Sequence, residues 1–238
     1  MRKFIKFLRG IKLIILNSIY YKSKILGIKF LFFLMLNSFN KYLYLKIKNK
    51  NITKDFSNLI KNYKFSKNYF KHNPPIWFEI FRKNFLFEKK VNILEIGTFE
   101  GMSYLFFEKY LKSDNIFCID SFEVNNLKNN KKKFNNFNFF NMTSDKFFEK
   151  KIDIKFDIIY IDGSHKANDV YKDLINSHNY LKNDGIIIID DFLYDLDYRR
   201  NDKFYNEVMG GVFLFYSKKF NYKMLYVGHQ LILKKVGN

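Results

Sequence analysis

The sequence predicts an α/β protein built on a doubly wound, mostly parallel sheet and preceded by a basic helical arm. Three observations predict it. From Val91 onward, short apolar runs alternate with stretches of helical spacing. The last two runs are almost contiguous, which suits an antiparallel hairpin. Charge is also one-sided: of 42 Lys and Arg, 17 fall in residues 1–72 against one acid, Asp55, leaving 25 bases and 22 acids for residues 73–238. The net charge of +19 therefore belongs mostly to an arm, residues 1–72, on a nearly neutral domain, residues 73–238.

The arm is apolar as well as basic. Within Arg2–Tyr20, Phe4, Phe7, Leu8, Ile11, Ile14 and Ile15 recur at helical spacing, while Arg2, Lys6 and Arg9 fall largely on another face. Between Lys29 and Lys41 runs FLFFLMLNSFN, uncharged but shorter than the roughly 20 residues that a spanning helix needs. No Ala-x-Ala-like cleavage site follows a short apolar run. Two readings of the arm remain: a helical cap packed on the domain, or peripheral contact of residues 1–50 with an anionic membrane surface. Lys, Asn, Ile, Phe and Tyr are all abundant, the mixture an AT-rich genome encodes, so part of the lysine reflects composition. Paired zinc ligands and an aromatic RNA-binding signature are missing, so a nucleic-acid partner is not expected.

Through the domain, VNILEIG (91–97) has the look of a buried parallel strand, and Gly101–Lys112 follows with helical spacing at Met102, Leu105, Phe106 and Tyr110. NIFCID (115–120) and NFNFFNMT (136–143) are the next strands. FDIIYIDGS (156–164) is another, followed by a helix from Ala167 to about Leu181. GIIIIDDF (185–192) carries four consecutive isoleucines and predicts a central strand. Residues 202–220 read as a helix, and YKMLYVG with HQLILKK (222–235) as the hairpin. Composition excludes other classes. Apolar residues at 47% rule out a mainly disordered chain, and the single cysteine, Cys118, rules out a disulfide scaffold or a cysteine-built zinc site.

Sheets of this kind bind ligands at the carboxyl ends of their strands, so the chemistry should follow each apolar run. The first run ends E-I-G-T-F-E-G, with Glu95, Gly97 and Gly101. Glycine permits a tight turn, and the next helix N-terminus offers free N–H groups. The second ends in Asp120, a carboxylate suited to accept hydrogen bonds from both hydroxyls of a ribose. Two later runs end in Asp162 and in the pair Asp190 and Asp191. Like charges brought together repel unless protonated or neutralised, and a hard divalent cation is the usual solution. His165 is the histidine beside this cluster and could take a proton from a substrate hydroxyl. His72, His178 and His229 read as structural.

LEIGTFEGMS and CID resemble the first and second motifs of the class I S-adenosylmethionine-dependent methyltransferases. More narrowly, YIDGSHKANDVYKDLINSHNYLKNDGIIIIDDF resembles the group that includes metal-dependent sugar O-methyltransferases of antibiotic pathways, over about residues 70–236. The resemblance implies a seven-stranded sheet with an antiparallel last strand. It implies S-adenosylmethionine held by Glu95, Gly97, Thr98, Gly101 and Asp120, with Thr143 and Ser144 lining the adenine pocket. It implies a divalent cation, Mg2+, on Asp162, Asp190 and Asp191; Asp162 and, from its place beside that cluster, His165 are the expected catalytic residues. Some relatives place an Asp in the base role two residues after the first metal Asp, and this sequence has Ser164 there. The expected acceptor is a small molecule or saccharide, bound by the arm and by loops such as 192–202. The expected location is the cytoplasm, extending to the inner membrane surface, and a homo-oligomer stays open.

Overall fold

The computed structural model describes residues 2–38, 40–193 and 208–237. Among them, a seven-stranded sheet carries the order β3-β2-β1-β4-β5-β7-β6, formed by β1 (Lys90–Ile96), β2 (Lys112–Asp120), β3 (Phe137–Asn141), β4 (Phe156–Ile161), β5 (Leu181–Ile189), β6 (Tyr222–Val227) and β7 (Leu231–Lys235). The predicted alternation of strand and helix is present. The chain divides into two compact units, Asn40–Tyr160 and Met1–Phe39 with Ile161–Asn238.

Within Asn40–Tyr160, α3 (Asn40–Lys48), α4 (Lys50–Leu59) and α5 (Pro74–Lys83) precede the strands. Pro74 and Pro75 occupy the first helical positions of α5, where a missing N–H costs nothing. Parallel pairing sets Glu95 beside Cys118 and Ile96 beside Ile119, and β2 continues the ladder with Asp120 beside Asn141. Between the strands run α6 (Met102–Tyr110), α7 (Asn125–Asn130) and α8 (Ser144–Glu149). The helix expected to Lys112 stops at Tyr110, because Lys112 already pairs with Lys90. Its aromatics are core: Trp77 stacks on Phe107 at 5.0 Å and meets Tyr160 edge-on at 4.9 Å. Lys48 is bound to this core through Glu79, a buried carboxylate that takes Arg82 Nη2 at 2.8 Å and Lys48 Nζ at 3.0 Å. The Arg82 hydrogen bond, opposed by burial and joined by Lys48, holds the Glu79 carboxyl down at about 2.

The other unit pairs α1 (Arg2–Tyr20) with α2 (Lys24–Ser38), and packs α9 (Ala167–Tyr180) with α10 (Val208–Tyr216). The two arm helices cross closely: a Cβ on Gly27 would lie 2.4 Å from that of Ser18. Phe30 of α2 is fully buried, its ring 5.1 Å from Phe192, 5.5 Å from Phe213 and 5.8 Å from Tyr216. Ile186–Ile189 have no exposed surface, as a central strand covered on both faces requires. Strands β6 and β7 form the expected antiparallel hairpin, and β7 also pairs antiparallel with β5, placing Leu231 beside Ile189. Of the helix expected over 202–220, residues 202–207 lie outside the described residues.

Candidate active site

In the unit Asn40–Tyr160, β1 delivers its C-terminal end into a turn of unusual backbone. Gly97 has φ 89° and Gly101 φ 84°, both in the region glycine tolerates, with Phe99 at 48° between them. Gly97 N–H still donates to Ile119 O at 2.8 Å, so the turn begins locked to β2. Gly101 is needed for packing too: a Cβ there would lie 2.8 Å from the Phe134 ring.

Asp120 stands at the end of β2 and meets that turn. Its carboxylate accepts from the Phe99 N–H at 2.8 Å and from the Phe122 N–H at 3.3 Å. A carboxylate has about four acceptor sites, so two amides fix its orientation and leave capacity for two ribose hydroxyls. Phe99, Phe122 and Tyr69 are exposed aromatics, and Tyr69 lies edge-on to Phe99 at 6.1 Å. A half-exposed, preoriented carboxylate among exposed rings fits a nucleoside with a flat base.

Glu95 lies behind the turn, fully buried. It accepts from the Ser103 hydroxyl and, at 3.3 Å, from the Cys118 thiol. Burial, only partly offset by these hydrogen bonds, pushes its carboxyl up to about 8. Near neutral pH Glu95 is thus mostly uncharged and braces the turn rather than carrying charge. Thr98 is buried in the turn. Thr143 is the N-cap of α8, accepting from Lys146 N–H, and Ser144 opens that helix.

Sequence reasoning missed what the end of the arm does here. Glu100 accepts from the Ser66 N–H at 2.8 Å and from Asn126 Nδ2 at 2.7 Å, while Asn130 bridges the Lys64 backbone. Residues 64–69 are therefore tied to the Gly97–Gly101 turn. The one sequence signal is an acid set between two turn glycines, and its partners, 34 and 26 residues away, are not legible there.

In the other unit, Asp162 follows β4, while Asp190 and Asp191 follow β5. The Asp190 N–H donates to Ile161 O at 2.9 Å, which joins the two strand ends. Asp191 has φ 51°, and its N–H donates to the Asp190 carboxylate at 2.9 Å. Ligating atoms of Asp162, His165 and Asp191 all lie within 4.8 Å of one another, and so do those of Asp190, Asp191 and His229. The three predicted aspartates thus come as two overlapping groups that share Asp191.

Asp191 is held between two imidazoles. His165 Nε2 lies 3.2 Å from one carboxylate oxygen and His229 Nε2 3.0 Å from the other. His229, read from the sequence as part of a hairpin turn, therefore also reaches the acid cluster. The antiparallel register explains it: with Leu231 beside Ile189, the turn before Leu231 falls at the carboxyl end of β5. His178 is structural as expected, stacked on Phe220 at 3.8 Å with Nδ1 3.0 Å from the Tyr222 hydroxyl. Ser164 Oγ donates to Asp169 at 2.7 Å and accepts from Lys166 N–H, so it shapes the first turn of α9.

A hard cation takes oxygen ligands and, when it is Mg2+, keeps several waters. Asp162 and Asp191 offer carboxylate oxygens within 4.8 Å of each other and are partly exposed, a donor set that suits such an ion. The imidazole of His165 is the softer member and suits proton transfer better than Mg2+ ligation. The expected acceptor loop lies, over residues 194–202, outside the described residues.

Residues 94–192 match the family model described as a methyltransferase domain. No curated protein matches the chain. Among solved structures, MycE, a methyltransferase of the mycinamycin biosynthetic pathway in complex with Mg, SAH and mycinamycin VI, superposes with a TM-score of 0.55 at 17% identity. The match covers 77% of this chain and 55% of MycE, so the chain spans about half of that protein's length. A candidate caffeoyl-CoA O-methyltransferase from Staphylococcus aureus gives 0.52 at 22% identity, covering 78% of this chain and 99% of that one. A candidate O-methyltransferase from Klebsiella pneumoniae gives 0.50 at 20%, covering 67% and 77%. At these identities the likeness establishes the fold. The family match adds that residues 94–192, less than half of the chain, are similar to a methyltransferase domain.

Proposed function

We propose that the protein transfers a methyl group from S-adenosylmethionine to a hydroxyl oxygen of a small molecule or saccharide, with Mg2+ assisting. The observation that carries this reading is the group Asp162, His165 and Asp191, whose ligating atoms converge within 4.8 Å at the ends of β4 and β5. The Mg present in the MycE complex supports the choice of ion.

When bound, S-adenosylmethionine supplies an electrophilic methyl group on a sulfonium, and Mg2+ supplies positive charge that lowers the pKa of a hydroxyl. The chain's own residues do the rest. Asp120 takes the ribose hydroxyls, the Gly97–Gly101 turn gives the donor room at the backbone, and neutral Glu95 stiffens that turn. Asp162 and Asp191 are the metal ligands of this reading, and Asp190 fixes the Asp191 backbone through its 2.9 Å hydrogen bond. His165 donates Nε2–H to Asp191, which leaves Nδ1 as the acceptor nitrogen and the place for the hydroxyl proton. The remaining contribution is alignment of donor and acceptor oxygen.

Mn2+ titration followed by electron paramagnetic resonance tests the metal half without needing an acceptor. Stoichiometric binding that weakens at least about tenfold in Asp191→Asn is expected, on the loss of one of two carboxylate ligands. Identical binding in the variant would remove the metal assignment. Labelled methyl transfer to a panel of hydroxylated small molecules, with Mg2+ and after exhaustive chelation, tests the reaction itself. Full transfer in the chelated sample sinks the role of the ion.

A further inference from the structure

The arm helix α2 buries one face and leaves another, equally apolar, in solvent. Leu26, Phe30 and Leu34 are buried, with Phe30 sealed against Phe192, Phe213 and Tyr216. Ile25, Ile28, Phe32, Met35 and Leu36 are each more than half exposed. At about 3.6 residues per turn these five fall on a single stripe opposite the buried face. Lys24 and Lys29, both exposed, flank that stripe on its two sides. On α1, Leu8, Ile15 and Ile19 are exposed on one face together with Lys12. The first acid in the chain is Asp55.

A helix apolar all round is ordinarily buried in protein or lipid, and a monomer rarely keeps so long an apolar stripe in water. Among the described residues no helix is long and apolar enough to cross a membrane. A stripe of Ile, Phe, Met and Leu with lysines along both edges suits the interface of a bilayer, where apolar side chains enter the acyl boundary and ammonium groups meet anionic headgroups. Charge decides the occupant. A second copy docked here would bring the acid-free, basic helices α1 and α2 against their own like, whereas an anionic surface complements them. Nucleic acid would use the lysines but leave the isoleucines in water.

We infer that the outer face of α2, extended by the exposed face of α1, is a docking surface for an anionic lipid bilayer, with α2 lying in the plane of the interface. The surface is independent of the methyl-transfer reading, since none of its residues belongs to the site described above.

Sedimentation of the full chain with lipid vesicles tests this. Binding is expected to vesicles of equal parts phosphatidylcholine and phosphatidylglycerol, not to phosphatidylcholine alone, and to weaken with added salt. Ile28→Ser/Phe32→Ser/Met35→Ser and, separately, Lys24→Glu/Lys29→Glu should each lower the partition coefficient at least about tenfold. Their thermal unfolding should match the parent, because every altered side chain is exposed. Failure of the full chain to bind either vesicle overturns the inference, as does undiminished binding by both variants. A self-association that the triple change abolishes, without vesicle binding, overturns it in favour of a second copy. Salt-sensitive retention of RNA without vesicle binding overturns it in favour of nucleic acid.

Discussion

Glu95 illustrates how one residue's setting decides its task. Its side chain has no exposed surface, and burial raises its carboxyl to about 8. In the unfolded chain an ordinary Glu titrates at about 4.3. The folded state therefore holds a proton that the unfolded state has lost, and the group's contribution to stability is whole below about pH 4.3 and declines as pH rises through about 8. Thermal unfolding of the parent should move to lower temperature between those limits, and Glu95→Gln should flatten that slope. A slope unchanged in the variant would show that Glu95 is not the group responsible. His165 offers a second residue-scale outcome. On any acceptor found, His165→Gln should lower kcat by about 100-fold or more with KM little changed, the scale of a lost general base.

At the scale of elements, the helices of the arm are two-faced, and the faces predict opposite outcomes. Phe30→Ala removes a fully buried ring from among Phe192, Phe213 and Tyr216 and should cost about 3–5 kcal/mol in urea unfolding. Phe32→Ala, two residues away and exposed, should stay within about 0.5 kcal/mol. The β1–α6 turn makes a third case. Gly101→Ala must hold φ 84° and displace the Phe134 ring, so a loss of about 1–3 kcal/mol is expected. Much of this was legible in the sequence. Four isoleucines bounded by Gly and acids read as a central strand, and they are. The contiguous runs at 222–235 read as a hairpin, and they are. What was not legible depends on register. Nothing in the string GHQ shows that His229 reaches Asp191, because that follows from which residue of β7 pairs with Ile189. The role of Glu100 was hidden for the same reason, since its partners at Ser66 and Asn126 are far away in sequence.

For the molecule as a whole, the net charge of +19 is the property that sequence alone interprets least well. Counted along the chain it belongs to residues 1–72, but in space those residues divide. Helices α1 and α2 belong with Ile161–Asn238, while Asn40 onward belongs with the first half of the sheet. There Lys48 serves Glu79, and Lys64 and Ser66 are bound by their backbones to Asn130 and Glu100. Lys48 is thus structural, while Lys12, Lys24 and Lys29 of α1 and α2 stay exposed, as do Lys46, Lys50 and Lys54 of α3 and α4. At the opposite end of the charge scale stands one carboxylate, Asp120 at the end of β2, and its hold on the donor's ribose decides the chemistry proposed here. Calorimetric titration of the full chain with S-adenosylhomocysteine tests it most directly. Saturable binding with one site per chain is predicted, weakened at least about tenfold in Asp120→Ala through the loss of charge-assisted hydrogen bonds to the ribose. No binding by the parent, or equal affinity in the variant, would contradict the account.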